Sequence, residues 1–182
     1  TPPLGTLLCG YVCRRPAEKV NDDLRVNAIA FCDGSLCGMM ISADLVSISN
    51  ELCRKIRELI SNETGIPVEN ITISAIHTHS GLQISVSKGW GVPNNTYIEE
   101  ILIPKTVLAA KNAFANMRPA VMGIATTESK VGINRREIMP DGSVRLGQNP
   151  FGIFDPKMTV ISFKDINNVW AIGTYTTTVL IK

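Results

Sequence analysis

Histidine is nearly missing from this 182-residue chain: His77 and His79 are the only two. A tetrahedral zinc site takes three or four protein ligands, so imidazoles alone cannot complete one. Any further ligand must be Asp, Glu, Cys or Tyr, or lie outside the chain. Long apolar runs are missing as well, and none approaches the ~20 residues of a membrane-spanning helix. Excess charge of one sign is also missing. The net charge of +2 and the absence of a basic block beside aromatics argue against a nucleic-acid surface. Cysteine is present but in an odd number: Cys9, Cys13, Cys32, Cys37 and Cys53, all in the first third. A disulfide framework would be even and denser, and neither Cys9-x3-Cys13 nor Cys32-x4-Cys37 has the usual zinc spacing. These residues read best as small buried hydrophobes, with a structural metal site made from four thiolates as the minor alternative. No initiator methionine or apolar leader precedes Thr1; the chain reads as trimmed, which leaves export open.

What is present fits a globular chain. Apolar residues at 45% and charged residues at 19% place it away from disordered sequences, and the length suits a single domain, residues 1–182, with a substantial core. The first twenty residues carry Pro and Gly and read as an extended entry segment. Val26 to Asp33 and Leu36 to Ala43 read as strands joined at Asp33-Gly34-Ser35, a hairpin. The second is apolar on both faces, as a central strand under helices would be. Asp44 and Ser47 are capping candidates for a helix through about Ser61, with the stripe Ile48, Leu52, Ile56, Leu59 and Ile60, ended by Gly65 and Pro67. A strand from Ile71 to His79 follows. Strand, helix and strand in this order predict a parallel pair with a crossover helix, right-handed by rule.

Further on, Leu82 to Asn95 reads as a loop suited to a substrate-facing flap or to plain surface. Thr96-x-x-Glu99 is a capping box for a second helix to about Met117, with Ile98, Ile101, Leu102, Leu108 and Ala109 inward. Pro104 should kink that helix or delay its start. Val121–Thr127, Met158–Phe163 and Val169–Val179 read as further strands, with a turn at Asp141-Gly142. The expected class is α/β or α+β: a mixed sheet flanked by helices. Three Asn-x-Thr sequons, at Asn62, Asn70 and Asn94, are of the kind that occurs often by chance.

The chemistry concentrates in Ile71-Thr72-Ile73-Ser74-Ala75-Ile76-His77-Thr78-His79-Ser80-Gly81. If strand alternation holds to its end, both imidazoles continue the apolar face of Ile71, Ile73 and Ala75, where polar rings need partners. A divalent metal is one such partner, and the carboxyl end of a strand is where open α/β sheets place ligands. The spacing alone slightly favours the plainer reading, two hydrogen-bonded structural histidines. Asn134-Arg135-Arg136 alone reads as a solvated basic surface.

Taken together, several segments resemble the amino-terminal catalytic domain of the neutral/alkaline (non-lysosomal) ceramidase family. They are Thr1-Pro2-Pro3-Leu4-Gly5-Thr6 with Gly10-Tyr11, Asn21-Asp22-Asp23-Leu24, Ser42-Ala43-Asp44-Leu45, the His77-Thr78-His79-Ser80-Gly81 signature, and Gly132-Ile133-Asn134-Arg135. The resemblance spans nearly the whole chain. It implies hydrolysis of the ceramide amide to sphingosine and a fatty acid at one zinc ion. On it, His77 would be a zinc ligand and His79 a non-ligand group that bonds substrate or moves a proton. Arg135 would hold the substrate's polar end or its developing oxyanion. It further implies a ceramide-like or other N-acyl lipid as substrate, and is compatible with a secreted or periplasmic location. The departures are specific. Leu82 stands where the family has Pro, and Gly173-Thr174-Tyr175-Thr176-Thr177-Thr178 lacks the second zinc histidine. Glu and Tyr ligands would come only after Lys182. Two functions stay open: a ceramidase-like zinc amide hydrolase, inactive as this segment if the ligands are not supplied, or a metal-free lipid-binding, glycan-binding or structural domain.

Overall fold

The computed structural model describes residues 1–10, 15–84, 92–165, 167 and 170–171. The chain divides into two compact units, Thr1–Met117 and Arg118–Lys182. In the first, β1 (Val26–Cys32) and β2 (Cys37–Ala43) form an antiparallel hairpin, and β3 (Ile71–Ala75) joins β2 in parallel, giving the order β1-β2-β3. The register sets Ile41 opposite Ala28 and Ile73, so β2 is the central strand. Its Met39, Ile41 and Ala43 are buried while Met40 and Ser42 are half-buried. One face therefore meets the helices, and the two-sided apolar pattern marks the middle of a sheet covered more fully on one side.

The crossover between β2 and β3 is helix α1 (Asn50–Thr64), which buries Leu52, Ile56 and Ile60 in the core. Its cap is Ser49, whose hydroxyl accepts the Leu52 N–H at 3.2 Å, not Asp44 or Ser47 as the sequence suggested. Asp44 is held elsewhere: its carboxylate accepts the Arg25 N–H at 2.9 Å. Gly65, with φ of 73°, closes the helix by donating to Ser61 O, a backbone region where glycine carries no Cβ penalty.

The second helical run comprises α2 (Asn95–Tyr97), a π-helical turn (Ile98–Leu102) and α3 (Ile103–Ala115). Asn94 caps it through the Tyr97 N–H at 3.0 Å, in place of the expected Thr96–Glu99 box. Pro104 has no N–H to donate and its ring would crowd the Glu100 carbonyl. The widened π turn absorbs this, and Ile103 N–H bonds Ile98 O instead. One added residue in the turn shifts the helical phase. Ile103, Thr106 and Ala110 face the core, and Leu108 is 48% exposed rather than inward.

Two of the cysteines correct the sequence reading. Cys32 and Cys37 are direct partners in the β1–β2 ladder and form a disulfide, which neither burial nor spacing announced. Cys9 is buried with a free thiol, as expected, and Cys53 is a half-buried thiol. Cys13 lies outside the described residues.

In the second unit, β4 (Ala120–Glu128) pairs antiparallel with β7 (Lys157–Asp165), which pairs with β8 (Trp170–Ala171). β5 (Arg136–Ile138) and β6 (Val144–Leu146) form a short hairpin around Asp141-Gly142, the turn the sequence indicates. The expected strand continuation and the Thr174–Thr178 segment lie outside the described residues, as does the middle of the Leu82–Asn95 loop, residues 85–91. Together the units give a mixed α/β fold with parallel and antiparallel strands.

Candidate functional site

The parallel pairing sets the site. Ala43 and Ala75 are register partners, so β2 and β3 end at the same level and their outgoing segments must share the space beyond. The two segments bond to each other. Ala43 O accepts the Ile76 N–H at 3.1 Å, and Leu45 O accepts the His77 and Thr78 N–H groups at 3.0 and 3.2 Å. Leu45 and Val46, both buried, anchor this platform in the core. A third segment closes it: Cys9 N–H donates to Gly81 O at 2.9 Å, and Leu8 bridges Leu82 antiparallel.

Strand geometry does not reach the histidines. β3 stops at Ala75, and His77 has φ of 66°, a left-handed conformation uncommon outside glycine. The shared apolar face from Ile71 to His79 is therefore replaced by a loop, because the Leu45 carbonyl draws two successive amides toward the end of β2. Ile76 is exposed, His77 is exposed and His79 half-buried. The loop still brings the rings together, with centroids 4.8 Å apart and planes at 69°.

His77 Nδ1 lies 2.7 Å from Val46 O. A carbonyl accepts only, so Nδ1 carries the proton and, in the neutral ring, the lone pair sits on Nε2. This is the arrangement metal-binding histidines use, one nitrogen bonded to a backbone carbonyl and the other turned to the metal. His79 is shaped by a neighbour that sequence reasoning missed. A Cβ on Gly10 would lie 2.5 to 2.9 Å from His79 Cγ, Cβ and Cδ2, and Gly10 has φ of 103°. Only glycine fits there on both counts. The Gly10-Tyr11 pair was legible as a likeness, but nothing in the sequence marked Gly10 as touching His79. Cys9 beside it has its thiol pKa raised by burial, which keeps it protonated and a poor nucleophile.

Among the described residues the donor set for zinc is incomplete. His77 suits one coordination position, yet no three of His, Cys, Asp and Glu gather among the described residues. Arg135 belongs to the second unit, where it is exposed. Side-chain amides frame it. Asn134 Nδ2 donates to Ile153 O and its Oδ1 accepts Arg136 N–H, each at 2.9 Å, while Asn149 Nδ2 donates to Arg136 O at 2.9 Å. Gly147 N–H bonds the Arg135 carbonyl at 3.0 Å. The Asn-Arg motif is thus a braced loop, and its asparagine does the bracing.

No family model and no curated protein matches the sequence. Solved structures do. A neutral ceramidase from Pseudomonas aeruginosa superposes with a TM-score of 0.72 at 18% identity, over 92% of this chain and 28% of that one. A structure described as ceramidase complexed with C2 gives a TM-score of 0.65 at 18% identity, again over 92% and 28%. At such identity the likeness shows a ceramidase-like fold, and the chain spans just over a quarter of those neighbours.

Proposed function

We propose that this chain is part of a ceramidase-like, zinc-dependent amide hydrolase that cleaves N-acylsphingosine, or a related N-acyl lipid, to the amine and the fatty acid. The observation that carries the reading is the His77–His79 pair, held at the common end of two parallel strands with Nδ1 of His77 on a backbone carbonyl. The ceramidase-like fold supports it. In this proposal His77 ligates zinc through Nε2. His79, pressed against Gly10, hydrogen-bonds the substrate or transfers a proton. Arg135, in its braced loop, is assigned to the developing oxyanion, for which a guanidinium is a fixed donor cluster. A bound zinc would lower the pKa of its water to ~7 and polarise the amide carbonyl. The remaining ligands are assigned to sequence following Lys182. The Cys32–Cys37 disulfide supports an oxidising setting, secreted or periplasmic.

A second reading rests on the sequence, where Thr174, Thr176, Thr177 and Thr178 stand in the segment that would carry a second zinc histidine: a metal-free domain that binds lipid or glycan, or serves structure. Zinc content of the full-length gene product, with and without His77→Ala, separates the two. About one zinc per chain that is lost in the variant supports the hydrolase. Unchanged zinc in His77→Ala refutes the ligand assignment, and a metal-free full-length protein favours the second reading. Release of fatty acid from ceramide against short N-acyl substrates then fixes the substrate class.

A further inference from the structure

Uncovered apolar side chains of the second unit gather around its short hairpin. The β5–β6 register pairs are Arg136–Leu146, Glu137–Arg145 and Ile138–Val144. Cross-strand partners share a face, as do alternate residues along a strand. Ile138, Val144, Leu146 and Arg136 therefore stand on one side, and Glu137 and Arg145 on the other. The apolar trio is 57 to 78% exposed. A two-stranded hairpin is marginal by itself in water, so an apolar side turned to solvent is a cost that a partner would remove. The adjoining turn holds out Phe151 at 96% and Ile153 at 84% exposure.

That turn is tied down. Asn149 Oδ1 accepts the Phe151 N–H and Asn149 O the Gly152 N–H, each at 3.1 Å, while Asn149 Nδ2 donates to Arg136 O and Asn134 Nδ2 to Ile153 O. The backbone that presents Phe151 is thus satisfied within the loop, the condition for meeting hydrocarbon. Charge selects the partner. Residues 130–154 carry Lys130, Arg135, Arg136 and Arg145 against Glu137 and Asp141, and Arg136 shares the apolar side. Covering that side with apolar protein would strand its guanidinium with no counter-charge on the same face. At a membrane the guanidinium reaches up to the phosphates while the apolar groups enter the acyl boundary. We infer that the Phe151 turn and the apolar side of the β5–β6 hairpin dock on a bilayer with anionic headgroups. Arg135 belongs to the same loop, so docking brings it to the surface where N-acyl lipids reside; in that respect alone the inference rests on the proposed hydrolysis.

The test is co-sedimentation of the full-length gene product with vesicles of phosphatidylcholine alone and of phosphatidylcholine mixed with phosphatidylglycerol. Binding should appear with the anionic vesicles and fall as salt is raised. Phe151→Asp should weaken it about tenfold or more, and Lys130→Gln with Arg136→Gln severalfold. Val121→Asp, the same kind of change in exposed β4, should bind as the wild type does. Circular dichroism melts verify folding, and the Lys130, Arg136 double variant carries the test alone if Phe151→Asp unfolds. Absence of binding to anionic vesicles, an equal loss in Val121→Asp, or wild-type binding by the folded variants overturns the inference; the last is the result if other protein covers this face. Zinc content and fatty-acid release from a water-soluble short N-acyl substrate read the hydrolase proposal separately, so either idea can fail without the other.

Discussion

The two units of this chain are built on different physics. Every buried hydrophobic residue among those described lies between Cys9 and Ala110, inside the first unit. There β2 is sandwiched between partners and a continuous cluster links Met39, Ile41, Ile56, Ile60, Leu102 and Ala110. In the second unit all nine residues of β4 are exposed, with Val121, Met122 and Ile124 at 71%, 56% and 63%. That unit is held by ladder hydrogen bonds and by asparagine and aspartate side chains that close its loops. The first unit has the means of independent stability, because apolar burial is the dominant favourable contribution to folding. Among the described residues of the second unit, no hydrophobic side chain is fully buried.

Paired truncations give this contrast its hardest test. Ile60→Ala empties a fully buried position and should cost about 2–5 kcal/mol in chemical denaturation. Ile124→Ala, of the same chemistry in β4, should stay within about 0.5 kcal/mol. Equal losses would mean that β4 is covered in solution, and the contrast would fall. The disulfide sharpens it at a smaller scale. Cys32 and Cys37 close a very short loop, for which the chain-entropy account gives about 2 kcal/mol. Cys32→Ser with Cys37→Ser should lower stability by about that amount and leave the β5–β6 amide signals unmoved. Disturbance of β5–β6 would show that the units do not hold independently.

How much of this the sequence disclosed follows the same division. In the first unit the hydrophobic period located α1, the hairpin and the parallel crossover, because burial is what imposes the pattern. The period failed where the backbone left ideal geometry. A π turn added a residue ahead of Pro104, so Leu108 was placed inward and Ala110 was missed. The strand reading overran Ala75, because the pull on the His77 and Thr78 amides comes from Leu45, which is distant in sequence. The cysteine count gave no sign that two of them face each other across a hairpin. At the candidate site both histidines could be picked out, but the partners that orient them, Val46 O and Gly10, could not. A carbonyl carries no sequence signature, and a glycine against a ring looks like any other glycine.

Gly10→Ala probes that hidden contact. A left-handed alanine costs about 1–2 kcal/mol, and its methyl would collide with the His79 ring, so the ring must move. His79 imidazole resonances should shift markedly and those of His77, fixed to Val46 O, much less. Unmoved His79 signals in the folded variant would remove Gly10 from the site. Global stability should fall less than in Ile60→Ala, since the loss is confined to a loop.

The mildest probe is acid, applied to one turn in each unit. Asp33 accepts the Leu36 and Ser35 N–H groups and the Ser35 hydroxyl; Asp141 accepts the Ser143 hydroxyl and N–H. These bonds, led by the Leu36 amide for Asp33 and by the Ser143 hydroxyl for Asp141, hold both carboxyl pKa values below the ordinary 3.8. A folded pKa below the unfolded one gives stability that is complete above the ordinary value and is lost as pH falls through the lowered one. Both turns should therefore be intact at pH 5 and weaken only well under pH 4. What happens next depends on the surroundings. The Asp33 turn is clamped by a disulfide and a seven-pair ladder, whereas the Asp141 hairpin has three pairs. Amide exchange followed downward from pH 5 should show Ser143 and its hairpin losing protection, while Ser35 and Leu36 shift but β1 and β2 stay protected. Loss of the β1–β2 ladder first would mean that side-chain turns, rather than the core and the disulfide beneath them, hold the first unit together.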